Sequence, residues 1–330
     1  MNRRNGILAV VLLAQVILIV LLSSLRATAT AQPGKPIFET IKATDINSLT
    51  LTDSTGKTTE LTKQGADWVM PQSDNYPAEA TKITTFLDKV LKIQTGRLIA
   101  QTQSSYSRLK VADDNFASKV VFTLANGQSH TLLVGTSPSA GSTHVRADGA
   151  KDVYLVDGLT SNDAAPDAVN WINPTYIAML PGQVTGITIR NGNGTFSFTK
   201  NISNTWMMDG LAAGEKFDTA KLTSMVGQIT PLPLLRPLGK GVKPEYGLTP
   251  PSTVVTVTLQ PTATVSVKPV VFQIGAKDTT DNSYTVSSNE SPYIVRIGSF
   301  ELDSFVTSNR QYFLIPPPTP VVSPTLTPAR

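Results

Sequence analysis

The sequence contains no cysteine and only two histidines among its 330 residues. Without cysteine the chain cannot form disulfides, a thiolate nucleophile, a cysteine-ligated zinc site or an iron–sulfur cluster. The absence is compatible with an exported protein that folds without disulfides, but it does not establish export. His130 and His144 do not form an H-x-x-x-H or H-E-x-x-H pattern, so the helical zinc-binding motifs are missing as well.

The part of the chain that is predicted to fold also lacks an excess of basic charge. The formal net charge of the whole chain is +4, and residues 1–44 alone account for it. Residues 45–181 carry a net charge of −3 and residues 183–316 a net charge of +2. Because nucleic-acid binding needs lysine and arginine concentrated on one surface, the sequence predicts no nucleic-acid partner.

One long apolar run is present, at residues 7–25, directly after a short basic segment at residues 1–6. At about 1.5 Å per residue, a helix of this length approaches the roughly 30 Å thickness of the hydrocarbon core of a membrane. The arginines that precede it favour a cytoplasmic N-terminus. We therefore expect a single-pass membrane helix, followed by a linker over residues 26–44 and an extracytoplasmic remainder.

A cleaved signal peptide is the alternative for this leader. Ala29-Thr30-Ala31 matches the small-residue pattern that precedes signal-peptide cleavage, with the cut falling near Ala31. The apolar run, however, is longer than the usual signal-peptide core of roughly 7–15 residues, which favours a retained anchor. Both interpretations place the bulk of the chain outside the cytoplasm.

The rest of the sequence predicts a tandem duplication, with units at residues 45–181 and 183–316. Similar landmarks recur along the chain at an offset that stays within a few residues of 138, as between Trp68 and Trp206. A near-constant offset is the signature of an internal repeat. The other landmarks pair Asp45–Leu51 with Gln183–Ile189, Ala80–Ile83 with Thr219–Leu222, Leu133–Gly135 with Gln273–Gly275, Val153–Val156 with Pro292–Val295, and Asn173, Tyr176 and Pro181 with Asn309, Tyr312 and Pro316.

Each predicted unit has the same order of secondary structure. It opens with a hairpin of alternating apolar residues, continues with a short strand that carries the tryptophan, and then has one amphipathic helix. A meander of four strands follows, and a short helix with a terminal strand (175–180 and 311–315) closes the unit. Strands joined by short turns indicate an antiparallel or mixed sheet, so the predicted fold class is α+β. Asp218 is the predicted N-cap of the second helix.

Residues 317–330 are rich in proline and threonine. Proline removes backbone donors and restricts the chain to extended geometry, so we expect a disordered or polyproline-like tail. It is either an inert terminus or an exposed, glycosylated stalk.

The combined pattern resembles domain-of-unknown-function family 4340 over residues 1–315. The resemblance implies a bacterial membrane-anchored protein associated with ABC-type export or gliding-type permease systems. It implies no activity and no catalytic residues, and the proline-rich tail departs from the family pattern. The residues that carry it are the leader, the opening strand from Asp45, Gly65–Trp68, Lys82–Ile93, Tyr106–Val111, Leu133–Thr136, His144–Arg146, Val153–Val156 and Trp171.

Candidate metal ligands are few. His130 and His144 lie on adjacent predicted strands and could bind a metal together with Asp148, but a site needs three or four converging ligands. We expect strand-surface histidines instead. Asp113 and Asp114 could bind a divalent cation or act as acid and base, but no calcium-loop pattern surrounds them, so we expect solvated turn residues.

Gly210–Lys216 has a passing likeness to a phosphate-binding loop. Its glycines are separated by three residues instead of four, and it follows a meander strand, so we expect a hairpin-to-helix loop. Trp68 and Trp206 could line a ligand groove, although an aromatic side chain closing the core is the simpler interpretation. Trp171 is expected to cover the junction between the units. Lys82 and Lys221 occupy equivalent first-turn helix positions, where a solvated face is expected.

The sequence therefore predicts no catalytic, cofactor-binding or metal-binding residues and no cofactor; a small-molecule ligand stays unknown. The leading hypothesis is a non-enzymatic, membrane-anchored accessory or scaffold protein that contacts a membrane permease. The alternatives are a cell-surface module that binds a ligand or the cell wall, and an exported hydrolase whose catalytic groups are distant in sequence.

Overall fold

The computed structural model describes residues 12–17, 34–260 and 268–316. The chain divides into two compact units. The first contains residues up to Thr62 together with Ala80–Pro166, and the second contains Lys63–Glu79 together with the residues from Asp167 onward. This division follows spatial contacts, whereas the predicted repeat boundaries follow sequence similarity, and the repeat boundaries stay a prediction.

Strands and helices are numbered along the chain. The strands are β1 Ile46–Asp53, β2 Thr58–Gln64, β3 Asp67–Met70, β4 Tyr76–Pro77, β5 Leu98–Ala100, β6 Ser118–Leu124, β7 Ser129–Val134, β8 Ser142–Ala147, β9 Val153–Asp157, β10 Thr175–Ile177, β11 Val184–Asn191, β12 Gly194–Lys200, β13 Trp206–Met208, β14 Leu232–Pro233, β15 Arg236–Gly239, β16 Thr253–Leu259, β17 Val270–Asp278, β18 Ser283–Ser288 and β19 Ser291–Gly298. The helices are α1 Ala80–Leu91, α2 Gln103–Leu109, α3 Thr219–Gln228 and α4 Ser299–Thr307.

Within the first unit, seven strands follow one another in the order β2-β1-β6-β7-β8-β9-β5, with antiparallel pairing. Leu49 and Leu51 of β1 are fully buried, whereas the alternating residues Thr50 and Thr52 are not. This alternation gives the sheet one core face and one partly exposed face. Helix α1 adds its predicted apolar stripe to the core through Ile83, Phe86, Leu87 and Val90.

The second unit contains a sheet with the order β13-β12-β11-β16-β17-β18-β19-β15, and its pairs are also antiparallel. Its core contains several phenylalanines that pack against one another. Phe272 of the sheet and Phe305 of α4 meet edge to face with ring centroids 6.3 Å apart, and Phe198 and Phe313 are 4.7 Å apart. All four are almost completely buried. Strands β10 and β14 form a separate two-stranded sheet, and β3 pairs with β4.

The α+β class with antiparallel sheets is confirmed, as are the opening hairpins and the strand meanders. Asp218 caps α3 as predicted, because its side chain accepts hydrogen bonds from the N–H groups of Ala220 and Lys221. The predicted terminal strand at 311–315 is wrong, since Arg310–Phe313 forms a 3-10 helix. The sequence analysis also missed α2 and the edge strands β5 and β15, which are too short to show a period.

The two sheets share an order of seven strands, since β2-β1-β6-β7-β8-β9-β5 corresponds position by position to β12-β11-β16-β17-β18-β19-β15. They also share a glycine. A Cβ on Gly135 would overlap the carbonyl oxygen of Leu109, and a Cβ on Gly275 would overlap that of Tyr246. Only glycine allows so close an approach of two backbones, which explains why both predicted copies have glycine at this position.

Among the described residues, no helix is long and apolar enough to cross a membrane. Residues 12–17 are helical and exposed. The rest of the predicted membrane helix at 7–25, the basic segment 1–6 and most of the linker 26–44 (up to residue 33) lie outside the described residues. The proline-rich tail at 317–330 lies outside them too.

Candidate functional site

A surface depression of about 360 Å³ in the second unit is the candidate site. Its volume is within the range of small-molecule pockets, which starts at roughly 300 Å³. One wall is the loop between β13 and α3, and the other is the segment that follows α4. The lining residues are Gly214, Glu215, Lys216, Gln311, Leu314, Ile315 and Pro316.

The loop wall is closed by its own glutamate. Gly210 and Gly214 both have positive φ angles, which lets the chain turn tightly on either side of Leu211–Ala213. The Glu215 carboxylate accepts a hydrogen bond of 2.8 Å from the backbone N–H of Ala212. The resemblance of this segment to a phosphate-binding loop therefore fails structurally, because a carboxylate occupies the backbone donor.

Arg310 fastens the loop to the other wall. Its guanidinium pairs with the Glu215 carboxylate, and Nη2 donates a hydrogen bond of 2.6 Å to the carbonyl oxygen of Gly210. Backbone bonds continue the contact: Ile315 donates to the carbonyl of Lys216 at 2.8 Å. The two walls of the depression, called the groove below, are thus joined by an ion pair and by hydrogen bonds.

The ion pair also shifts the pKa values of both partners. The hydrogen bond from Arg310, followed by that from the Ala212 N–H, lowers the pKa of the Glu215 carboxyl below its usual value. The same pairing raises the pKa of Arg310. Both side chains therefore keep their charge near neutral pH and neutralise each other. A general acid or base needs a pKa close to the working pH, so this arrangement suits binding better than proton transfer.

A second depression, of about 320 Å³, lies against Val242, Lys243, Pro244 and Thr249. The Lys243 ammonium lies 5.7 Å from the ring centroid of Tyr246. This shallow surface offers one cation beside apolar side chains.

The two histidines of the first unit do not converge. In the β7–β8 pairing Val134 faces Val145, so the partner of His144 lies five residues beyond His130 along β7. At about 3.3 Å per residue, this corresponds to roughly 16 Å along the strand. His130 stacks on Phe122, and His144 Nδ1 lies 2.8 Å from the carbonyl oxygen of Thr136. The metal site considered for this pair with Asp148 is not formed, and among the described residues no other cluster of three potential ligands occurs.

Asp113 and Asp114 are also separated in role. Both are exposed, and Asp113 pairs with the guanidinium of Arg146. Arg146 is buried, donates to the Val111 carbonyl at 2.7 Å, and lies over the ring of Tyr106 at 4.6 Å. The sequence analysis gave Arg146 no role of its own, because no alternation along β8 distinguishes its position: the strand is buried on both faces.

Trp68 and Trp206 are buried, with 4% and 9% exposure. Each has a lysine over its indole ring: Lys63 lies 5.3 Å from the ring of Trp68, and Lys200 lies 5.1 Å from that of Trp206. Burial favours the core interpretation over a ligand groove. The matched lysine contact agrees with the sequence alignment of the two segments.

Trp171 is buried in the second unit, and its carbonyl accepts the N–H of Glu79 at 2.7 Å. Its predicted role at the junction between the units stays a prediction. Both helix lysines are half-buried, and Lys221 lies 5.0 Å from the ring of Tyr312. Tyr312 belongs to a 3-10 helix and Tyr176 to a strand, so the sequence alignment of these two tyrosines joins residues in different structures.

Within the second unit, the segment from Lys63 to Glu79 packs against the rest of the unit through tyrosines. Tyr76 meets Tyr293 edge to face at 4.7 Å, and the Tyr293 hydroxyl donates to the carbonyl of Asn75. Tyr176 donates to the carbonyl of Tyr293 at 2.7 Å, and burial raises its pKa above the usual value. The hydroxyls of Tyr176 and Tyr293 are therefore structural hydrogen-bond donors.

The sequence model of one family matches residues 68–251, which is more than half of the chain. That family is described as a domain of unknown function, DUF4340. Neither a curated protein nor a solved structure matches the chain. The matched region runs from Trp68, on the short strand β3, to residue 251. The chain therefore belongs to the DUF4340 family.

Proposed function

We propose that this chain is a non-enzymatic accessory protein, anchored in the membrane by residues 7–25, whose extracytoplasmic part assembles with an ABC-type or gliding-type permease. The observation that carries a non-catalytic role is the groove itself. The Glu215 carboxylate and the Arg310 guanidinium form an ion pair with each other and hydrogen bonds with the loop backbone. The Glu215 and Arg310 charges therefore neutralise each other, and Lys216 is a further cation in the lining.

The fold supports the same proposal. We propose that the two sheets, with their shared order of seven strands, are copies of one ancestral unit. A duplicated unit with one core face and one partly exposed face offers two similar surfaces to a partner. Permease association and membrane anchoring rest on the resemblance and on the apolar leader, and they need a direct test.

The test is a pull-down of the tagged full-length chain from gently solubilised native membranes, with partners identified by mass spectrometry. We expect a permease in near-stoichiometric amount. The matched control keeps a membrane anchor but replaces residues 7–25 with an unrelated apolar helix. A permease that is recovered with both chains is recognised by the outer part, whereas recovery of the chain alone rejects the proposal.

A second candidate, a cell-surface binding module, is favoured by the hydroxyl-rich sheet faces. Thr52 and Thr58 have hydroxyl oxygens 3.1 Å apart, and those of Thr123 and Ser129 are 2.9 Å apart. In the second sheet Thr188 faces Ser197 on one neighbouring strand and Thr256 on the other. Neighbouring hydroxyl groups of this kind are suited to hydrogen bonding with a polyhydroxylated polymer.

This candidate predicts that the full-length chain binds isolated cell-wall fractions without a membrane partner. Thr50→Lys and Thr188→Lys would each place a long cation on a hydroxyl-rich face and weaken that binding. Thr85→Lys on the exposed side of α1 is the control, since Thr85 lies on a helix. Equal binding by all three variants would argue against the sheet faces.

A further inference from the structure

Two of the buried hydrogen-bond donors in the second sheet that have no partner among the described residues lie on neighbouring strands. They are Nε of Arg296 and the hydroxyl of Thr285. Thr285 is fully buried, and the side chain of Arg296 is 12% exposed. Burying such groups without a partner costs roughly 1–3 kcal/mol each, and more for a charged group. Native proteins rarely keep such donors unpaired, so each needs an explanation.

The strand register brings the two donors together. Thr285 of β18 and Arg296 of β19 are direct partners in the antiparallel ladder. Directly opposed residues project from the same face, with Cβ atoms about 5 Å apart. The orphaned hydroxyl and the orphaned guanidinium N–H therefore lie side by side on one face of the sheet.

The other nitrogens of Arg296 are held only loosely. Nη1 donates to the carbonyl of Ala276 at 3.4 Å, and Nη2 lies 3.5 Å from the carboxylate of Asp278. By contrast, Arg146 in the first unit makes a bond of 2.7 Å through its Nε. A buried guanidinium normally forms short, charge-assisted bonds. Arg296 therefore has capacity for one more acceptor.

The charges around this position balance. Arg236 pairs with Arg296 across β15 and β19, and it donates to Asp281 at 2.8 Å. Asp278 faces Arg296, so two arginines are matched by two aspartates. A neutral surrounding gives no net attraction for a strongly charged ligand, and a small acceptor is sufficient.

We infer that Arg296 Nε and the Thr285 hydroxyl form a binding site for one small hydrogen-bond acceptor, a water molecule, that ties β18 to β19. Buried waters of this kind typically make about three hydrogen bonds to groups that are otherwise unsatisfied. A halide ion presents the same acceptor chemistry from a different source, and the experiment separates the two. The site lies outside the groove of the proposed function and does not depend on it.

The chain provides a matched control for a mutational test. Thr253 of β16 is also fully buried with an orphaned hydroxyl, but its ladder partner is Ile274. Thr→Val keeps the shape and removes the hydroxyl at either position. In the full-length chain, purified in mild detergent, we expect Thr285→Val to lower the folding equilibrium constant roughly tenfold. Thr253→Val should leave it unchanged or raise it, because an unpaired hydroxyl is removed.

The acceptor itself is located by a crystal structure at high resolution, with a second data set from crystals soaked in bromide. A density peak within hydrogen-bond distance of Arg296 Nε and Thr285 Oγ1, without a bromide anomalous signal, identifies water. An anomalous peak identifies a halide site and overturns the assignment to water. A protein acceptor at that position, or equal effects of the two valine substitutions, would overturn the site.

Discussion

The Asp74 carboxylate accepts a hydrogen bond of 2.6 Å from the backbone N–H of Lys240, and both residues belong to the second unit. Asp74 itself has a positive φ of 53°, a conformation that is uncommon outside glycine. The contact is possible because Gly239, which precedes Lys240, has no side chain. The segment 63–79 therefore contacts β15 through the Asp74 carboxylate at Gly239 and through the Ser73 hydroxyl, which donates to the carbonyl of Pro237.

Gly239→Ala should lower the free energy of unfolding by about 2 kcal/mol or more. A Cβ at Gly239 would overlap the Asp74 carboxylate, and the φ of 102° is unfavourable for alanine. Urea unfolding of the full-length chain measures the change. Gly241→Ala is the control, since a Cβ there meets nothing within 4 Å and its φ is not in the left-handed region. Similar losses for both variants would contradict this explanation.

Arg146→Met should destabilise the protein by about 2–3 kcal/mol, because it leaves the buried Val111 carbonyl without its 2.7 Å donor. Asp113→Asn should have a much smaller effect, since Asp113 is 78% exposed and its ion pair is screened by solvent. Thermal or urea unfolding distinguishes the two. Arg108→Met, on the exposed last turn of α2, controls for loss of a nearby charge. A larger effect at Asp113 would show that the ion pair dominates.

Stability should fall above pH 10, in part through Tyr284. Burial, followed by the hydrogen bond to Asp303, raises the pKa of Tyr284 from 10.0 to about 12. A folded-state pKa above the unfolded value gives stability that is fully present below pH 10 and is lost as the pH rises toward 12. The unfolding midpoint measured between pH 7 and pH 12 should therefore decline less steeply in Tyr284→Phe. Parallel curves for the two proteins would contradict this role.

Glu215→Gln should accelerate hydrogen exchange of the Ala212 amide, because this N–H donates a hydrogen bond of 2.8 Å to the Glu215 carboxylate. The pKa of Glu215 is lowered by Arg310 and by this N–H. The protection is therefore present above the ordinary glutamate pKa and disappears as the pH falls through the lowered value. Glu290→Gln, at an exposed turn, is the control. Unchanged exchange at Ala212 would show that the loop is closed without its carboxylate.

The strongest sequence predictions rested on periodicity. Alternation around Leu49 and Leu51, the stripe of Ile83, Phe86, Leu87 and Val90, and the cap at Asp218 are local patterns, and all appear in the structure. The segment 311–315 contains β-favouring residues and was therefore predicted as a strand, but Arg310–Phe313 forms a 3-10 helix. Tertiary contacts explain the difference, since Phe313 packs against Phe196 and Phe198. Tertiary context overrides propensity in segments this short.

The sequence by itself determined the elements that a local rule specifies: an α+β fold of antiparallel hairpins, the helix stripes and the resemblance of the two halves. Only the tertiary structure decided which polar groups meet. Arg310 finds Glu215 across 95 residues, and Asp74 finds Lys240 across 166. Such pairs depend on the three-dimensional path of the backbone and not on spacing along the chain. The groove and the Arg296–Thr285 site depend on such pairings, and no periodic pattern encodes them.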